Sequence, residues 1–257
     1  MLITVLQKIK NSPTSLLAIT ALLLFLTVLA HELFIFVAIA PLFALLDIRI
    51  NVKSVYGVVS GLFVMGAMAL LMREISPATG MVFYAITVMM VFVFYQSMQE
   101  LTKNRLNKFS LTILLIGIEY LLLKLALGNW VTFFADAIQE KPEWTRWNIY
   151  TGYLGSSAWI LLVNLLFYQA FFKKARINWF LVILAVLVIL LPVLYSFDLT
   201  NNALTKEQVI RFYRGDESGL TYPYLSYGEL ISRTGAWLSI LIIIFTFVRA
   251  KTKKVAR

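Results

Sequence analysis

The apolar residues of this chain fall in long unbroken blocks, and the charged residues gather between them. Blocks of that kind predict helices that face lipid, not the half-buried helices of a soluble domain. They lie at about 15–30, 33–46, 55–72, 79–98, 109–127, 152–172, 177–196 and 234–249. No stretch keeps a period-2 alternation, which argues against a membrane β-barrel. The expected fold is all-α, a polytopic helical membrane protein of about eight transmembrane helices, forming a single membrane domain over 1–257. The first two blocks are separated only by His31 and Glu32. As one helix they would be about 48 Å long, against a hydrocarbon core of about 30 Å. Two short or tilted helices with a turn at His31-Glu32 fit better. Lys8 and Lys10 before an apolar core, with "VLA" before His31, also fit a cleavable leader.

Composition strengthens this reading. Of 257 residues, 60% are hydrophobic and 14% charged, where a soluble domain averages about half and a quarter. The chain has no cysteine, so disulfides, thiolate metal sites and cysteine nucleophiles are excluded. The net charge of +10 does not indicate nucleic acid as a partner, because the basic residues sit at the ends of spans. With eight spans and both termini on one side, most Lys and Arg residues share that side. They include Lys8, Arg49, Lys103, Lys108, Lys173 and Lys254. The positive-inside rule makes that side cytoplasmic, which places the protein in a bacterial cytoplasmic (inner) membrane. The sizeable non-membrane pieces, 128–151 and 197–233, then lie outside. In the second, Thr205 and Gln208 form a capping box that would open a short helix over "TKEQVIRFY". "YRGDESGLTYPY" follows with turn residues. This helix carries Val209, Ile210 and Phe212, which need an apolar surface to cover, so 197–233 is expected to cap the outer mouth of the bundle. Neither piece is large enough for a catalytic domain.

Polar residues inside the spans carry the candidate chemistry. A charged side chain at a helix centre costs about 2.5–3.5 kcal/mol on insertion scales, so it usually faces the bundle interior and has a partner. Glu119 is such a residue, in the fifth span. Lys124 lies about 140° around the helix from it and near the outer end. Asn164, in the sixth span at a similar expected depth, is the better partner. The pair is either a hydrogen-bonded strut between helices or a proton-binding or substrate-binding site. His31 and Glu32 are an acid/base pair or an interfacial turn. The chain has no second histidine, so no metal cluster is expected, and no cofactor. Arg211, Arg214 and Arg233 are candidates for lipid phosphate at the outer face. Trp130, Trp144, Trp147 and Trp237 read as an aromatic belt. "GVVSG" at 57–61 reads as a helix-packing face.

Several of these patterns occur in a telling order. "AIAPLFALL" surrounds Pro41 in an early span. Glu119 is followed by Gly128 and Trp130. "YTGYLGSSAWILLVNLL" holds Gly152, Gly155, Ser156 and Asn164, and "SRTGAW" holds Arg233, Thr234, Gly235 and Trp237. This order resembles the membrane part of bacterial apolipoprotein N-acyltransferase. The resemblance implies eight spans with both termini cytoplasmic. It also implies a large periplasmic nitrilase-like domain with a Glu-Lys-Cys triad between the last two spans. Here that interval is the short segment 197–233, and no cysteine exists to carry an acyl group. The arginine that follows the family's membrane glutamate is Leu122 here.

The expectation for function is therefore a non-catalytic integral membrane subunit rather than an enzyme. It would bind a phospholipid, a lipoprotein, or a membrane or periplasmic protein partner at the outer leaflet. The alternatives are an intramembrane acyl- or lipid-transferring enzyme using Glu119 or His31-Glu32, and a transporter or proton relay using Glu119.

Overall fold

A computed structural model describes residues 12–47, 108–125, 133–139, 141–173, 176–200 and 202–214, with scattered positions between 230 and 248. No strand occurs among the described residues, which form helices and their connections. The predicted spans 55–72 and 79–98 lie outside them, as do "GVVSG", Gly128, Trp130, "TYPYLSY" and both termini.

Helix α1 (Pro13–Leu29) starts where its sequence says it should. Pro13 sits in its first turn, and the Ser12 hydroxyl accepts the Ser15 amide at 3.4 Å, a pairing of N-cap and early proline suited to a helix start. Inside it, Thr20 and Thr27 donate their hydroxyls to Leu16 and Leu23 carbonyls, both at 2.9 Å, so neither leaves an unpaired donor. The helix closes at Ala30, and His31 caps the following 3-10 turn, Glu32–Phe34, by accepting the Leu33 amide at 3.2 Å. The turn expected at His31-Glu32 is there.

The block that follows is not one helix. It divides into α2 (Ile35–Ala38) and α3 (Ala40–Leu45), both deeply buried. Pro41 explains the break. It has no N–H, and its ring would clash with the carbonyl four residues back. Helix α4 (Lys108–Lys124) matches the predicted fifth span. A 3-10 helix (Phe134–Ile138) follows, then two single turns, α5 (Pro142–Thr145) and α6 (Asn148–Thr151). Next come the long α7 (Tyr153–Phe171), α8 (Trp179–Asp198) and the short α9 (Lys206–Arg214). Residues 233–238 are helical again, where the last span is predicted.

Two of these helices, α7 and α8, are long and apolar enough to cross a membrane, which points to membrane association. The other described spans are shorter: α1 and α4 have 17 residues each, at the lower bound for spanning. The main core joins α2 and α3 to α4 and α7, with Phe36, Phe43, Leu111, Ile160, Leu161 and Val163 fully or almost fully buried. A second, smaller core lies at the other end, between α4, the 3-10 helix, α7 and α9. The far end of the main core is tied at Asp47, whose carboxylate holds Lys108 and, at 2.7 Å, the Tyr168 hydroxyl. The Lys108 ammonium also lies 4.6 Å from the centre of the Tyr168 ring.

Candidate functional site

Several breaks in regular backbone are closed by side chains, among them Asn164 and Ser157 of α7 and Glu119 of α4. Asn164 is fully buried. Its carboxamide oxygen accepts the amides of Ile39 at 2.8 Å and Ala40 at 2.9 Å. Its nitrogen donates to the carbonyls of Ile35 and Ile160, both at 2.8 Å. The Ile39 amide and the Ile35 carbonyl are one residue pair of the interrupted α-helical ladder. Asn164 fills the gap between them, and its two acceptor and two donor capacities are all used.

The expected pairing of Glu119 with Asn164 is thereby corrected. Counted from the Asp47 junction, Asn164 lies about one turn along α7 from Tyr168, while Glu119 lies about three turns along α4 from Lys108. The two residues are at different depths. The estimate from sequence failed because the ends of both spans were placed by hydropathy alone. Glu119 is 1% exposed, and one carboxylate oxygen accepts the amide of Phe134 at 3.0 Å. That amide opens the 3-10 helix, where no earlier carbonyl can serve it. The next amide, Ala135, goes to the Ser157 hydroxyl of α7 at 3.1 Å.

Asp136 gathers the rest of this end. It accepts the Phe133 amide at 2.8 Å, the hydroxyl of Tyr153 and the ammonium of Lys206 at 2.7 Å. Lys206 belongs to α9, so the ion pair fastens the short helix onto the bundle. The predicted capping box of α9 is formed: the Thr205 amide reaches Gln208 at 2.9 Å and the Gln208 amide reaches Thr205 at 3.4 Å. Asn148 holds both the amide and the carbonyl of Leu204, at 2.7 and 3.2 Å, and Arg146 holds the Leu199 carbonyl at 2.7 Å. Below these contacts Val209 and Ile210 are buried against Tyr120, Leu123 and Phe133. Segment 199–214 is thus a docked cap over this end of the bundle.

The other sequence candidates stand apart from this cluster. His31 is exposed, stacks on Trp144 with ring centres 5.7 Å apart, and lies 3.5 Å from Glu32. Arg211 is exposed on α9, and the Arg214 side chain lies outside the described residues. Arg233 and Trp237 are exposed on the last helix. Lys124 leans back over Tyr120, 5.8 Å from its ring centre, as a residue at a helix end does. Tyr150, on the single turn α6, titrates above the usual phenol value, first through burial and then through Tyr195 beside it. Among the described residues, no group of three or more His, Asp and Glu side chains has the geometry to hold a metal ion.

Sequence reasoning missed Asp136, Tyr153, Ser157, Asn148 and Lys206. Asp136 carried a signal, since it sits three residues after the start of a turn, where a carboxylate can reach back to the first amide. The others become visible only when the loops are folded. The chain matches no protein-family model, no curated protein and no solved structure.

Proposed function

We propose that this chain is a non-catalytic integral membrane subunit that binds a lipid, a lipoprotein or a partner protein at the outer leaflet of a bacterial cytoplasmic membrane. In this reading it spans the bilayer about eight times with both termini inside. It is shaped like the membrane domain of apolipoprotein N-acyltransferase, with the cap standing in place of a catalytic domain. One observation carries the proposal. Glu119, the carboxylate that would do chemistry at mid-membrane, is buried and bound to a backbone amide. Asn164 is likewise engaged with four backbone groups. These polar groups hold irregular backbone where no water can reach it, which is the condition for such backbone inside a membrane.

The intramembrane-enzyme reading needs Glu119 to open onto a cavity shared with its substrate, and a side chain 1% exposed does not offer that. The relay reading needs a proton path out of the bundle, and the Glu119 carboxylate is instead engaged by the Phe134 amide at 3.0 Å. The test is purification from the native membrane into lipid nanodiscs, followed by native mass spectrometry. A retained lipid, lipoprotein or protein partner is expected. A monodisperse chain carrying none of these would overturn the proposal.

A further inference from the structure

The cap helix α9 meets the bundle through Lys206, Val209, Ile210 and Tyr213, with Phe212 packed beside them. Lys206, Val209, Ile210 and Tyr213 occupy i, i+3, i+4 and i+7, the register by which an amphipathic helix lies in a groove. Val209 and Ile210 are buried among Tyr120, Leu123, Phe133 and Leu154. Tyr213 meets Tyr120 edge-on, ring centres 6.1 Å apart. At the head of the groove, the Lys206 ammonium reaches Asp136 at 2.7 Å and lies 4.6 Å from the centre of the Phe133 ring. The opposite face of α9, with Glu207 and Arg211, is exposed. A helix of nine residues is marginal by itself, so its shape here comes from the groove.

The groove's own chemistry therefore specifies its occupant: one ammonium for Asp136, then two aliphatic residues one turn on, then an aromatic ring. We propose that this groove is a docking site for an amphipathic helix of a partner protein with that register, and that α9 is a tethered occupant blocking it. The proposal rests on the reading of the chain as a binding subunit and names the partner's chemistry. A tethered segment competes at an effective concentration on the order of millimolar. A partner helix would then bind the intact chain weakly and bind tightly once α9 is displaced.

The test uses a fluorescein-labelled synthetic peptide of residues 203–214 and the full chain in nanodiscs. Two receivers are compared with the wild type. One has 203–214 replaced by a Gly/Ser linker of equal length. The other carries V209S and I210S, which loosen the native occupant while keeping its length. Binding to either receiver is expected to be at least about 10-fold tighter than to the wild type. A peptide with Lys206→Ala is expected to lose about 10-fold on these receivers, the cost of an unmet charged hydrogen bond. D136N in the receiver should erase that difference. Absence of peptide binding to both receivers overturns the proposal, as does equal binding of the Lys206→Ala peptide. So does an emptied groove that retains lipid in native mass spectrometry and refuses the peptide. Failure of the wild type to carry any partner or lipid from its membrane would sink the binding-subunit reading while leaving this peptide result standing.

Discussion

Helices α7 and α8 are neighbours of 19 and 20 residues, both apolar enough to cross a membrane, yet they live in opposite surroundings. Of a membrane-length window, 67% is buried in α7 and 11% in α8. Helix α7 carries Tyr153, Ser157, Asn164 and Tyr168, and each of these binds a group on another element. Helix α8 exposes Ile183, Leu187, Leu190, Leu191 and Leu194, with Trp179 and Phe180 at one end and Tyr195 and Phe197 at the other. Aromatic rings bracketing an aliphatic band match the two edges of a hydrocarbon layer. In the bilayer setting proposed above, the difference shows what burial is for. With lipid as apolar as leucine, a helix gains little by hiding hydrophobic side chains, so the inner helix is the one that serves polar contacts.

One hydrogen bond between the two helices makes the contrast concrete. Pro192 sits inside α8 and cannot donate to the carbonyl of Val188 four residues earlier. The Trp159 indole of α7 donates to that carbonyl at 2.7 Å. On the exposed helix α8, the carbonyl that Pro192 leaves open is met by a side chain from the buried helix α7.

The largest effect is expected at Asn164. Asn164→Leu leaves the amides of Ile39 and Ala40 and the carbonyl of Ile35 unpaired, at about 1–3 kcal/mol each. Against a total of about 5–15 kcal/mol, that removes most of the stability. No monodisperse protein should be recovered in detergent; recovery at wild-type yield would break the hub role of α7.

A sharper version compares a glycine of the same helix with one on the helix at 233–238. A Cβ on Gly155 would come within 2.2 Å of the Thr151 hydroxyl oxygen and 2.7 Å of its Cβ, while one on Gly235 meets nothing within 4 Å. Gly155→Ala is expected to destabilise by about 1–3 kcal/mol through overpacking, and Gly235→Ala to leave the unfolding midpoint unchanged, both read by thermal unfolding in detergent.

Glu119 separates hydrogen bonding from charge. Glu119→Gln keeps an acceptor for the Phe134 amide and should fold. Glu119→Leu leaves that amide unpaired and should lose about 1–3 kcal/mol. Equal losses of expression would point to a required negative charge.

The smallest effect tests the contact between the two helices. Trp159→Phe orphans the Val188 carbonyl, but in a Pro192→Ala background the new amide takes that carbonyl. The cost of Trp159→Phe should fall by about 1 kcal/mol between the two backgrounds in a double-mutant cycle.

What the sequence made legible follows from range. Local signals were sound: the turn at His31-Glu32, the capping box of Thr205 and Gln208, and the apolar face of α9 each depend on residues within one or two turns. The bonds from Asn164 to Ile39 and from Lys206 to Asp136 join residues far apart in the chain, and hydropathy carries no information about them. Glu119 was recognisable as needing a partner, because a buried charge always does, yet one partner is the backbone amide that opens the 3-10 helix. A backbone amide has no signature in sequence. Trp159 read as one more apolar residue, since nothing near it announces that Pro192 leaves a carbonyl open.

The most direct test of the contrast places single spin labels on this cysteine-free chain in a lipid bilayer. Labels at Leu187, 45% exposed, and Leu161, 0% exposed, would be compared for collisions with oxygen and with a water-soluble nickel complex. At Leu187 oxygen should collide often and nickel rarely, while at Leu161 both should be scarce. Nickel collisions at Leu187 as frequent as those of oxygen would place α8 in water and contradict the account.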